Sequence, residues 1–310
     1  MWTRATLTTL LFAFAVAPAL NAQAPAPPPS MLVPGTTEKI SAHVYAIPDK
    51  DTRPSIPDIG IIVGTKGALV VDTGLGEANG RIVLAETQKV APGRQLYLVT
   101  THVHPEHDLG ANAFPASTKM IRSTDQEKDI DEFGLQLANF FASRSPVEAN
   151  LLKGATFRKA DIEFDKQYDL DLGDVHVHIQ AVGPNHTRGD TTIFVEPDRV
   201  LFSGDVAMAG QPNFGNPPSS SLDHWLTALD VLAAFKPLIV VPAHGPIGDA
   251  SYITNYRIYL TTIRDRTRAL KQQGRTVDET TKIITEELKS RYPNENRISG
   301  AVKVAYQEAP

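Results

Sequence analysis

The chain has no cysteine among its 310 residues. Thiolate metal ligation, a cysteine nucleophile, a disulfide and lipid attachment to a cysteine are excluded at once. It also lacks any run of basic residues interleaved with aromatics. With a formal net charge of −5 and a pI near 6.0, it has no electrostatic footprint for a nucleic acid. Its one long apolar run near the start, Leu7 to Leu20, is too short to span a bilayer comfortably. No linker-like composition and no repeat interrupts residues 37–310, which read as a single α/β domain.

The apolar run has the form of a secretory signal. The charged start Met1-Trp2-Thr3-Arg4 precedes it and small residues follow, so cleavage falls after Ala22 or Ala24, with Pro25 favouring the earlier bond. The alternative is an uncleaved anchor helix. A signal peptide over 1–22 implies a periplasmic or secreted protein with no stable membrane association after cleavage. Ala24-Pro25-Ala26-Pro27-Pro28-Pro29-Ser30 opens a stiff spacer over 23–36, with ordered structure expected from about Thr37.

Chemistry concentrates in Thr100-Thr101-His102-Val103-His104-Pro105-Glu106-His107-Asp108, directly after the apolar run Leu96-Tyr97-Leu98-Val99. In an extended segment, residues two apart point the same way, so His102 and His104 converge on one ion while Glu106 and His107 turn toward a neighbouring point. Neutral imidazole is the commonest ligand of zinc and other late first-row metals, and carboxylates bring a second ion close. His176-Val177-His178 has the same spacing inside an alternating stretch with no carboxylate expected beside it, and reads as structural. Three further junctions support the first cluster. His186 stands in the Gly- and Pro-rich turn Gly183 to Asp190, Asp205 ends Val200-Leu201-Phe202-Ser203-Gly204, and His244 follows Val240-Val241-Pro242-Ala243. Four strand-to-loop junctions thus each end in a potential ligand, which is how open sheets build sites at one edge.

This order of motifs resembles the metallo-β-lactamase superfamily of zinc-dependent hydrolases. Val70-Val71-Asp72-Thr73-Gly74 takes the place of its opening strand and Asp-x-Gly turn, and the match runs from about residue 40 to about residue 250. The resemblance implies a four-layer αββα sandwich. It also implies that His102, His104 and His186 hold a first metal and Glu106, His107 and His244 a second, with Asp205 bridging. One or two Zn2+ ions are expected, though iron and manganese fit the same ligands. Water activated there would attack the carbonyl carbon of a lactam, lactone, ester or thioester, with Asp205 and Glu106 as the catalytic carboxylates. Asp205 turns the resemblance toward glyoxalase-like and lactonase-like members, beside the β-lactamases. The missing cysteine excludes the lactamases that place a thiolate on the second metal.

Glu106 departs from the family's usual His-x-His-x-Asp-His. One methylene longer than Asp, it requires the second ion to shift or the carboxylate to bind at another angle, with Asp108 as an alternative donor. Two other functions use such a ligand set: a mononuclear iron dioxygenase acting on a sulfur substrate, and a non-catalytic metal-binding accessory protein.

Residues 40–47, 60–63 and 67–71 read as opening strands, Glu77 to Val90 as a helix, and Ser221 as the start of a helix burying Trp225, Leu229 and Leu232. His224 there reads as solvated or packed. Phe133, Leu137, Phe140 and Phe141 lie at helical spacing between the metal cluster and the next strands, as either a core helix or a substrate-covering lid suited to an apolar acyl group. Arg188 either meets an anionic group of a small-molecule substrate or pairs with Asp190. The C-terminal helices from Tyr252, including the capping box at Thr276 to Glu279, read as packing elements or a homodimer face without chemistry.

Overall fold

A computed structural model describes residues 30–49, 53, 55–215 and 219–310. The expected signal peptide and the first half of its Pro-rich spacer, residues 23–29, lie outside the described residues. The packed chain already includes Met31 and Leu32, ahead of Thr37: both backbone N–H groups donate to Asn79 Oδ1, and Leu32 is buried.

Two sheets face each other. The first contains β1 (Glu38–Lys39), β2 (Val44–Ile47), β3 (Ile59–Val63), β4 (Gly67–Val71), β5 (Gln95–Val99), β6 (Lys119–Ser123) and β7 (Ile162–Phe164), in chain order across the sheet. Pairing is antiparallel up to β4 and parallel from there on. The second sheet runs β12 (Ile239–Pro242), β11 (Val200–Gly204), β10 (Thr191–Val195), β9 (His176–Ala181), β8 (Gln167–Asp171), and only β11 with β12 is parallel.

Strand periodicity builds the layers. Leu69 and Val71 on β4 meet Val200 and Phe202 on β11 in the core between the sheets, while the intervening Val70 faces the helix α1 (Gly76–Val90) through Val83. On the second sheet Leu201 and Val240 turn outward onto α5 (Leu222–Ala234), α6 (Ser251–Gln272) and α8 (Glu295–Glu308), where Trp225, Leu229 and Tyr256 are buried. Helix α7 (Val277–Leu288) opens on the expected capping box. Over the first sheet lie α3 (Thr124–Arg144) and α4 (Pro146–Leu151). The result is the αββα sandwich. Among the described residues, no helix is long and apolar enough to cross a membrane.

Strands β4, β5, β11 and β12 all deliver their following loops to one edge. Close approach there depends on two glycines: a Cβ on Gly80 would stand 2.1 Å from the Gly110 carbonyl, and one on Gly110 2.1 Å from that of Thr73. Residues 73–80 and the turn after the histidine cluster therefore pack backbone to backbone.

Candidate metal centre

Beyond β5 the chain does not stay extended. Residues 101–104 form a bend, and Glu106 and His107 lie on a short helix, α2 (Pro105–Asp108), with His104 at its N-cap and Pro105 in its first turn. The bend and the helical turn together converge the side chains, in place of the strand alternation expected from the spacing. The turn after β4 holds them: Asp72, at φ 63°, accepts the Thr101 backbone N–H at 2.7 Å through Oδ1, while its Oδ2 lies 2.9 Å from Thr101 Oγ1 and 2.8 Å from His107 Nδ1. Aspartate is among the few non-glycine residues that tolerate this left-handed conformation.

The remaining ligand candidates arrive from the second sheet. The loop after β9 carries His186, and the Asp190 carboxylate ties it by accepting the backbone N–H of His186 at 2.7 Å and the hydroxyl of Thr187 at 2.6 Å. Asp205 follows β11 and His244 follows β12. His186 Nδ1 lies 2.6 Å from the Asn213 carbonyl, and His244 Nδ1 lies 2.9 Å from that of Ile56. A carbonyl can only accept, so both rings carry a proton on Nδ1 and present Nε2 to the interior as the ligating atom.

Three groups of donor atoms lie within 4.8 Å of one another: His102 with His104 and His186, His102 with His107 and Asp205, and Glu106 with His107 and His244. In the first group His104 Nδ1 stands 3.0 Å from His102 Nε2 and 3.2 Å from His186 Nε2. Metal–nitrogen bonds of ~2.05 Å in a tetrahedron imply donor separations of about 3.3 Å, so the group is spaced as ligands are. The third group is wider, with Glu106 Oε1 at 3.7 Å from His107 Nε2 and 3.8 Å from His244 Nε2. Asp205 stands between them, Oδ2 at 3.2 Å from His186 Nε2 and Oδ1 at 4.0 Å from His244 Nε2. Glu106 Oε2, His107 Nε2 and Asp205 Oδ1 are buried without a hydrogen-bond partner. Buried polar atoms are nearly always satisfied, so three orphans aimed at one space fit a cation. The longer Glu106 still reaches its group.

Electrostatics describe the same cavity. Burial, reinforced by the neighbouring imidazoles, holds His102 and His104 well below the usual histidine range, so both are neutral donors. Burial pushes Glu106 up to about 7. Burial also opposes charge on His107, yet Asp72, with help from Glu106 and Asp205, lifts that ring to about 9. Asp205 is buried too, but four surrounding histidines hold it down at about 2, so it stays an anion.

A cavity of about 610 Å³ opens onto these atoms. His104, Glu106, His186, Asp205 and His244 form its floor, and Leu137, Phe140 and Phe141 of α3 form one wall. A second cavity of about 320 Å³ shares His104, Leu137, His186 and Gly215 and adds Phe133. Helix α3 therefore covers the site, and Phe141 also packs into the core beneath it. Arg144 at the end of α3 and Arg297 on α8 line the larger cavity as well. The C-terminal helices thus carry a cation to the site, which their packing pattern gave no sign of.

Arg188 is placed differently from both expectations. Its Nε donates to Asp129 at 2.9 Å and its terminal nitrogens to Glu132 at 3.1 and 2.7 Å, while Asp190 turns inward to hold the His186 loop. Arg188 is a tie between that loop and α3, not a free cation. Asp108, the alternative donor, is in none of the donor groups among the described residues: its Oδ2 accepts from Arg122 at 2.7 Å and Thr100 at 3.0 Å. His178 does have a carboxylate beside it, Asp169 across the strand pair at 2.6 Å, and belongs to none of the donor groups among the described residues. His224 is partly buried, with Nδ1 3.5 Å from Asn185 Oδ1, and also lies outside them.

The fold and site define a protein with a histidine- and carboxylate-lined cation centre at one edge of an αββα sandwich. A metallo-beta-lactamase superfamily model matches residues 52–244, more than half of the chain, and the protein belongs to that superfamily. A linear primary-alkylsulfatase of Pseudomonas sp. is 25% identical over 256 residues, covering 71% of this chain and 48% of the relative. A stereoselective inverting sec-alkylsulfatase from Pseudomonas sp. superposes with a TM-score of 0.69 at 17% identity, over 88% of this chain and 50% of the other. A metallo-beta-lactamase from Pontibacter korlensis gives 0.55 at 22% identity, over 73% and 98%. The chain thus spans about half the length of the alkylsulfatases it matches.

Proposed function

We propose that this protein is a metal-dependent ester hydrolase with zinc as its natural ion, and that its substrate is a sulfate ester of an alkyl chain. One observation carries the reading: the cavity that exposes the convergent donor atoms is walled by Leu137, Phe140 and Phe141, an apolar surface suited to an alkyl chain. Two relatives are named for alkyl sulfates, which narrows the carbonyl substrates expected from the sequence toward esters.

His102, His104 and His186 would hold one ion and Glu106, His107 and His244 a second, with Asp205 shared. Bound divalent ions would polarise the ester and make a water acidic enough to serve as nucleophile near neutral pH. The protein's own part is positional. Asp72 and the Asn213 and Ile56 carbonyls orient the imidazoles, and α3 walls the space in which the ester would lie. Water adds across the ester bond and yields an alcohol and hydrogensulfate.

The test is a zinc-loaded assay of decyl sulfate, decyl acetate, a lactone and nitrocefin. Alcohol release from decyl sulfate above the others supports the reading, and turnover of nitrocefin alone refutes it. Export belongs to the same proposal, on the strength of the charged start and apolar core of residues 1–22. Intact-mass analysis of a periplasmic fraction checks it, and retention of Trp2 contradicts it.

A further inference from the structure

Two arginines, Arg144 and Arg297, line the larger cavity, and a third, Arg188, follows Thr187 of the smaller one; they differ in what already holds them. Arg188 is saturated by Asp129 and Glu132. Arg144 lies with Nε 3.5 Å from Glu148 and its guanidinium 4.6 Å from the centre of the Phe141 ring. Arg297 has no carboxylate within 4.0 Å among the described residues, and its Nη1 donates to the Gln211 backbone carbonyl. A carbonyl satisfies one donor of five and neutralises no charge.

Arg297 is also held firmly in place. Gln211, itself buried, reaches the start of α8 through both ends of its amide: Nε2 donates to the Asn294 carbonyl at 3.1 Å, and Oε1 accepts the Asn294 N–H at 2.8 Å. Asn294 caps α8 by accepting the Arg297 backbone N–H. Gln211 lies between Asp205 and Asn213, whose carbonyl fixes His186. One loop therefore carries a ligand candidate, orients another and docks the helix that brings Arg297 to the cavity.

We propose that Arg297 binds the anionic head group of the substrate, holding it over the metal centre while the alkyl chain lies along α3. This rests on the ester-hydrolase reading for the identity of the substrate. A planar guanidinium with unused donors matches an oxyanion in shape as well as charge. The helix carrying it lies beyond the 52–244 span of the superfamily model, so selectivity for an anionic ester is supplied from outside that span.

Calorimetric titration of the zinc-loaded full chain with decane-1-sulfonate, which cannot be hydrolysed as an ester, tests this against decan-1-ol as an uncharged probe. Loss of a charge-assisted contact predicts that Arg297→Gln weakens sulfonate binding roughly ten- to hundredfold. Decanol binding should stay within about twofold, and Arg297→Lys, which keeps the charge, should fall between. Unchanged sulfonate binding in Arg297→Gln overturns the proposal, and so does an equal loss for both probes, the result of a purely structural clamp. Failure of the enzyme reading looks different: the wild type hydrolyses none of the esters, yet Arg297→Gln still loses sulfonate affinity. Turnover of decyl sulfate with KM unchanged in Arg297→Gln removes this role alone.

Discussion

Replacing Asp72 with Asn changes one atom and tests how the second half of the metal centre is prepared. The Thr101 backbone N–H can only donate, so it keeps the amide oxygen on its side, where Oδ1 now sits at 2.7 Å. The new NH2 group then occupies the place of Oδ2, 2.8 Å from His107 Nδ1. A donor now faces Nδ1, so His107 must accept there and carry its proton on Nε2, the buried atom that faces Glu106 and the cation space. Left-handed backbone at residue 72 suits Asn as well as Asp, so the fold should survive. Loss of an outer hydrogen-bond partner typically costs 10–100-fold in metal affinity, or about 1.4–2.7 kcal/mol, and the tautomer change puts Asp72→Asn at the upper end. Zinc titration against a chromophoric chelator should show the weaker of two binding steps shifted by that factor. The first should move less, because Asp72 meets His102 indirectly, through Thr101 Oγ1 at 3.2 Å from His102 Nδ1. Two steps matching those of the wild type would refute the tautomer argument.

Glu106→Gln removes charge from the wider donor group, so the weaker zinc step should decline more than the stronger one, again read by chelator competition. Arg188→Ala leaves the buried Asp129 carboxylate with only the Gly189 N–H of the partners named among the described residues and should lower stability by about 1–3 kcal/mol in urea unfolding, without a selective loss of decane-1-sulfonate binding. Asp58 supplies a pH test: burial, aided by the charge of Asp49, pushes its carboxyl up to about 8. The folded state therefore binds a proton that the unfolded chain has already released. The stability this gives is complete below about pH 4 and is lost as pH rises through about 8, at up to about 1.4 kcal/mol per pH unit. Asp58→Asn should remove that slope in urea unfolding measured from pH 5 to 9, and an unchanged slope contradicts the assignment.

Much of the centre was legible because its residues sit just past apolar strands, where local pattern and chemistry coincide. His102, His186, Asp205 and His244 each needed only a strand end and a turn to be placed. What the pattern missed depends on distant partners. Arg188 reaches Asp129 and Glu132 on α3 instead of the nearby Asp190, because that carboxylate is already committed to the backbone of its own loop. Arg297 looks like an ordinary residue in the first turn of an amphipathic helix, and only docking through Gln211 brings it to the cavity. His178 finds Asp169 through strand register, which spacing within one strand cannot reveal. Helix α3 packs on the core through Phe141, while Phe140 stays 60% exposed at the cavity wall.

Everything proposed for this chain depends on His102, His104, His186, Glu106, His107, His244 and Asp205 acting as one metal centre. Metal analysis of the wild type, His104→Ala and His178→Ala after zinc loading and gel filtration tests it most directly. Up to two zinc ions per chain are expected in the wild type, with an unchanged content in His178→Ala and loss of the more tightly held ion in His104→Ala. A wild type that retains no divalent metal, or equal retention in His104→Ala and the wild type, would contradict it.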